Sequence, residues 1–138
     1  MLILNPRLVT FGSYSWPEVA AIAIDRLPHR TVEDWSDLGP YAVLVDVPEQ
    51  KVRITVVQEV ERDDVHLPRP GESGTLSFRT SPTASDAGRR RFSCSAVVLE
   101  VRHELSLRKG AVRTVTLAAV SADGATDPVV MGDASDGS

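Results

Sequence analysis

Over most of its length the chain alternates apolar and polar residues with a period of two, as strands with one buried face do. Val52, Ile54 and Val56 fall on one side of such a run, and Lys51, Arg53 and Thr55 on the other. Just before it, Tyr41 to Val47 is apolar and β-branched and stops at Pro48, a residue that central strands exclude. A turn over Pro48 to Gln50 is therefore expected to fold the two runs into a hairpin. Leu76 and Phe78 alternate with Thr75, Ser77 and Arg79, which predicts a short strand. Between Arg91 and Leu105 the apolar face changes: Phe92, Cys94, Ala96 and Val98 share one side, then Val97, Leu99 and Val101 the other. Such a strand is either buried on both faces or contains a bulge. In the last periodic run Val115, Leu117 and Ala119 form the apolar side, with Arg113, Thr114 and Thr116 assigned to a more polar one.

The front third reads two ways. Pro17 suits a first helical position and Glu18 a first turn, whereas Ala20, Ile22 and Ile24 alternate. The alternation is preferred, and it predicts a strand ending near Pro28. Residues 58–74 are charged and broken by Pro68 and Pro70, the mark of a long solvated loop entered by an extended strand. Residues 80–91 fit either one capped helical turn or a plain loop. Lys109 and Gly110 supply a turn. Spaced strands punctuated by Gly, Pro and Asp predict a mainly β fold, an antiparallel sandwich or barrel with at most one short helix. A single domain over 1–130 is expected, with residues 1–16 as an N-terminal arm and 131–138 as a flexible tail. The acidic, small-residue run after Ser121 has no apolar period and reads as an arm that orders on a partner.

Composition narrows the functional classes. A chain of 138 residues suits one core, and 42% hydrophobic with 25% charged residues suits a folded globule. Only 5% are aromatic, so the core must be built from Val, Leu, Ile and Ala. A net charge of −4 argues against general nucleic-acid binding, which needs surplus Lys and Arg. No apolar run is long enough to span a membrane, and the opening MLILNPRL does not read as a signal peptide, so a cytoplasmic chain without a membrane partner is expected. Cys94 is the single cysteine and is expected to be a small buried hydrophobe.

Little in the sequence points to catalysis. His29, His66 and His103 are scattered, and no phosphate-loop, nucleophile-elbow or metalloprotease motif occurs, so no metal, cofactor or enzymatic activity is expected. Glu59, Glu61, Asp63 and Asp64 lack the alternating oxygen ligands of a cation loop and read as a solvated acidic entrance. Arg89 to Arg91 have the chemistry to hold a phosphate or a partner's carboxylates; a charged segment guarding a strand is the simpler reading. Trp16 and Trp35 are expected to anchor loops onto the core.

The order of elements from Tyr41 to Val130 resembles the tail tube proteins of bacteriophages. The segments that carry the likeness are AVLVDVPEQKVRITVVQEV, the charged loop to PRPGESGTLSFR, SAVVLEVRHE and RTVTLAAVSADGATDPV. The resemblance implies a β-sandwich subunit that forms hexameric rings stacked into a virion tail tube. Such a tube is assembled in the bacterial cytoplasm beside sheath or baseplate and tape-measure proteins, and passes DNA without binding it specifically. It carries over no catalytic residue. On this reading Lys51, Arg53, Thr55 and Glu59 face the lumen, with the two bases paired to Glu59 or Glu61 across the hairpin. Glu61, Arg62, Asp63, Asp64, His66, Arg69 and Glu72 belong to an inter-subunit loop. Alternatives are a tube-initiating baseplate protein or tail terminator and, in another class, a small β-sandwich module that binds carbohydrate or protein.

Overall fold

Alternating β-branched and aliphatic side chains leave each strand one apolar face, and burying all of those faces at once curls the sheet around them. The computed structural model describes residues 2–61, 68–80, 90–106 and 110–133. They form β1 (Leu2–Leu4), β2 (Arg7–Phe11), β3 (Tyr14–Ser15), β4 (Val19–Trp35), β5 (Ala42–Val60), β6 (Ser73–Arg79), β7 (Arg90–Ser106), β8 (Gly110–Ala119) and β9 (Val130–Asp133). All pair antiparallel in one nine-stranded sheet of order β1-β4-β5-β8-β7-β6-β2-β3, with β9 on β7. The sheet curls into a half-barrel, with no helix among the described residues. The fold is thus mainly β and barrel-like, as the alternation predicts.

The hollow of the curl is the core. Ile22, Ile54, Val56, Leu76, Val98, Val115 and Leu117 are fully buried there with Phe11 and Phe78. Each such side chain contributes about 1.5–3 kcal/mol relative to exposure. Phe78 stacks on Phe92 with ring centroids 5.1 Å apart. Cys94 lies buried among them, and burial pushes its thiol up to about 11. On β7 the register steps between Val98 and Glu100, so the change of parity is a bulge that leaves Leu99 exposed.

Several expectations give way. Pro48 does not end a strand: β5 runs through it for 19 residues. The register passes from Arg30↔Glu49 to Val32↔Asp46, so Val47 and Pro48 stand against Thr31 alone in a bulge, at a level where β5 has no second neighbour. Both conditions tolerate a residue without an amide proton. Pro28 likewise sits inside β4, beyond the stretch that β1 covers. Residues 2–16, expected as an arm, are built into the sheet. β1 pairs with β4 and β2 with β6, nearly opposite ends of the strand order, with only Asn5 and Pro6 between them. The N-terminal chain therefore bridges the open side of the curl. Ile3, Val9, Phe11 and Trp16 are buried by it, at a spacing that two turns make irregular. Nor are residues 122–133 loose: Val129 packs against the core and β9 pairs with β7, while 134–138 of the expected tail lie outside the described residues.

Gly74 shows how close the bridge lies. A Cβ there would meet the backbone N and Cα of Gly12 at 3.1 Å, and Gly12 itself holds a left-handed φ of +58°. Gly74→Ala is expected to lower stability by about 1–3 kcal/mol in urea unfolding, whereas Gly39→Ala, which meets nothing, leaves the midpoint unchanged.

Candidate functional site

On β5 the buried residues Val52, Ile54, Val56 and Gln58 alternate with an outward series. Lys51, Arg53, Thr55 and Glu59 therefore share that outward face. The register sets Ala23 beside Thr55 and Thr55 beside Thr116, then Ala21 beside Val57 and Val57 beside Thr114. The middle of the face is small and uncharged. At its border Arg53 lies 4.0 Å from Asp25 on β4, not against Glu59 or Glu61. Because β5 is one continuous strand between β4 and β8, neither Lys51 nor Arg53 meets Glu59 or Glu61 across a hairpin.

Glu59 stands at the far end of β5 instead. Its amide donates to the carbonyl of Glu18, and Glu18, Glu59 and Glu61 line one cleft of about 540 Å³ at the mouth of the half-barrel. The floor of this cleft was hidden from pattern reading. Gln58 and Arg113 are buried there, and the Arg113 guanidinium donates to Gln58 Oε1 while Gln58 Nε2 donates to the Pro17 carbonyl at 2.6 Å. Arg113 also lies 5.7 Å from the Trp16 ring centre, and Trp16 stacks on Phe11 at 5.4 Å. A cation over an aromatic face and a satisfied amide make burial of the charge tolerable. Trp16 anchors a turn to the core as expected.

Of the inter-subunit candidates, Arg62, Asp63, Asp64 and His66 lie outside the described residues. Arg69 and Glu72 close a turn, with the Arg69 amide donating to Glu72 Oε2 at 2.7 Å. Tyr14 donates to Glu72 Oε1 at 2.9 Å, and this bond to a carboxylate raises the phenol's pKa. The structure thus docks Glu72 onto its own chain.

A feature that sequence reading missed is a ribbon. β8 covers β5 only from Arg53 onward and β1 covers β4 only over Ala21 to Ala23. Beyond about Arg26 and Val52, β4 and β5 continue as two strands whose outer edges pair with no other strand among the described residues. Trp35, Leu38, Tyr41, Val43, Leu44 and Val45 are exposed on it, Leu38 at 96% and Tyr41 at 84%. Trp35 therefore anchors nothing in the core. Arg30 and His29 flank Glu49 at 3.3 and 3.8 Å.

At the base of the ribbon the segment after β8 forms a strap, facing Pro48, Gln50 and Lys51 across a cleft. Asp123 accepts from the amides of Ala125 and Thr126 and from both the Ser121 and Thr126 hydroxyls. Arg26 donates twice to Asp127, at 2.9 and 3.3 Å. These bonds hold both carboxyls below the usual aspartate range. No protein-family model and no curated protein matches the chain.

Depressed folded-state values mean that the strap's carboxylates stabilise it fully above about pH 4, and that this is lost as pH falls through those values. Arg26→Gln is expected to move the Asp127 titration midpoint, read by carbonyl NMR, up toward about 3.9; an unchanged midpoint would show that the pair contributes nothing. Separately, Gln58→Leu is expected to lower unfolding stability by about 1–3 kcal/mol, because the Pro17 carbonyl and the Arg113 guanidinium lose their shared partner inside the fold.

Proposed function

We propose that this chain is a self-assembling structural subunit of the phage tail tube kind, forming stacked hexameric rings around a channel for DNA. The observation that carries the reading is the β4–β5 ribbon. A two-stranded hairpin alone in water is at best marginally stable, and it needs a third strand or a packed face. Here, among the described residues, both edges are unpaired and large apolar residues are exposed, the pattern of a surface meant to be covered. A ring of copies satisfies this repeatedly, because each ribbon extends the sheet of its neighbour and closure removes the open edges.

The outward face of β4, β5 and β8 supports a lumen wall. The Ala and Thr side chains at its middle offer a passing polyanion no cationic grip; at its border the Arg53 charge has Asp25 beside it, while Lys51 stands exposed. Sheath or baseplate and tape-measure proteins are the expected partners, and the virion tail the expected location. The fold alone accommodates a tube-initiating baseplate protein or a terminator equally well, since these differ in what caps the ring.

Light scattering and negative-stain microscopy of the purified chain test the proposal. Closed rings or tubes are expected at high concentration, and a strict monomer throughout would refute it. Leu44→Lys with Val45→Lys is expected to give monomers whose unfolding free energy changes by less than about 1 kcal/mol, since both side chains are already exposed.

A further inference from the structure

We infer that the tip of the β4–β5 ribbon docks in an arginine-lined cleft of the neighbouring copy. The inference deepens the ring-forming proposal by naming what receives the ribbon, and it rests on that proposal for the presence of more than one copy. The tip carries both parts of a strong contact. From Thr31 to Asp46 the chain has four acids, Glu33, Asp34, Asp37 and Asp46, and no Lys, Arg or His, so this segment alone carries a charge equal to the −4 of the whole chain. All four are exposed, and none takes part in an ion pair among the described residues. Trp35, Leu38 and Tyr41 are exposed among them. The turn is held from within: Trp35 Nε1 donates to the Pro40 carbonyl at 3.3 Å, and the Leu38 amide donates to Ser36 Oγ at 3.3 Å. A partner therefore meets a preformed surface, and less ordering entropy opposes binding.

The cleft has the complementary chemistry. Arg7 on β2 is paired in register with Arg79 on β6, and Arg79 with Arg91 on β7, so three guanidinium stems share one face. Like charges placed directly opposite one another destabilise a sheet. None of the three takes part in an ion pair among the described residues; Arg91 Nε donates to Ser77 Oγ at 3.4 Å. Arg7 and Arg79 line a cleft of about 360 Å³ with Pro6 and Leu8. Leu8 holds a left-handed φ of 53° that its side chain disfavours, and it is exposed there. Guanidiniums beside an exposed leucine suit a tip that offers carboxylates together with Trp and Tyr, whereas the leucine gives a phosphate backbone nothing to bind.

Position makes the contact one between copies. The Asn5 amide donates to the Ala20 carbonyl at 2.9 Å, which holds Arg7 within about 13 Å of Ala20 at about 3.8 Å per Cα step. Trp35 closes the same strand as Ala20, about 50 Å further on at about 3.3 Å per residue. Pairing with β5 as far as Trp35↔Ala42 keeps β4 extended, so the tip cannot return to its own arginines. The cleft also lies where a neighbour's ribbon is expected. β1 ends the strand order on one side, and β3 covers β2 only at Thr10 and Phe11, which leaves Arg7 and Leu8 without a paired strand on that side among the described residues. A ribbon that extends its neighbour's sheet runs along such an edge.

The experiment compares wild type with Asp34→Lys/Asp37→Lys and Arg7→Glu/Arg79→Glu, each checked for unchanged circular dichroism, by sedimentation velocity, microscopy and retention of duplex DNA. Each variant alone is expected to lose self-association by at least about tenfold. An equal mixture of the two is expected to regain it, because every tip then finds a cleft of opposite sign, and so is one chain that carries all four substitutions. Assembly that is unchanged in either variant overturns the inference and leaves the ring reading standing. Loss in both that neither the mixture nor the fourfold variant restores also overturns it. Dimers or open chains of wild type in place of rings overturn the ring reading, and their loss in both variants with recovery in the mixture still upholds the inference; a strict monomer overturns both. Duplex DNA retained by wild type and released by the arginine variant, with association unaltered, overturns the inference in favour of nucleic acid.

Discussion

A curled sheet can bury only the face it wraps, and only where strands lie on both sides of the hollow. Here that requirement fixes the reach of the core. β8 flanks the last part of β5 and carries the sheet round to β7 and β6, which close the hollow, and burial ends where this surround ends. Beyond Ile24 on one strand and Val52 on the other, the backbone ladder persists while the cover is gone. The ribbon is a consequence of unequal strand lengths, since β5 has 19 residues against the 10 of β8. Its hydrogen bonds hold it extended without a hydrophobic face beneath it.

Charge is distributed by the same division. Where the sheet is covered, ionic groups sit on the outward face in loosely opposed pairs, such as Arg53 with Asp25 and Arg102 with Glu104 at 3.0 Å. All of these are half-exposed, so their contribution to stability is small. Arg113 is the exception, buried under Trp16 and tied to Gln58, and it belongs to the architecture of the mouth.

Strand existence was largely legible because alternation reports burial directly. The faces of β6, β7 and β8 follow from their sequences, and the parity change after Val98 marks the bulge. What escaped reading has physical causes. Pro48 and Pro28 end strands only when their missing amide proton would be needed on a paired edge, and edge exposure is a tertiary fact. The N-terminal bridge was obscured because Ile3, Val9, Phe11 and Trp16 share no period once the chain turns at Asn5 and again at Gly12. Arg113 carried a usable signal: it has the parity of Val115 and Leu117, which places it inward, and only the habit of counting charge as exposed moved it to the polar side. Nothing in residues 28–50 distinguishes a covered strand from a bare one, because Val43, Leu44 and Val45 look like core residues whether or not a neighbour is present.

The surfaces that fold this chain are separate from the exposed ribbon proposed to assemble it. The N-terminal bridge and the C-terminal strap complete the core from within, with Val129 and Trp16 sealing opposite flanks of the hollow. A single copy therefore has its central apolar faces shielded before it meets another. The exposed ribbon then adds little to the stability of the monomer, and an interface built there can be weakened or strengthened without disturbing the fold. In the assembly proposed above, that separation would let a subunit stay soluble alone, since the bulges and ion pairs at Thr31, Pro48 and Glu49 break the regular edge that indiscriminate strand pairing would need.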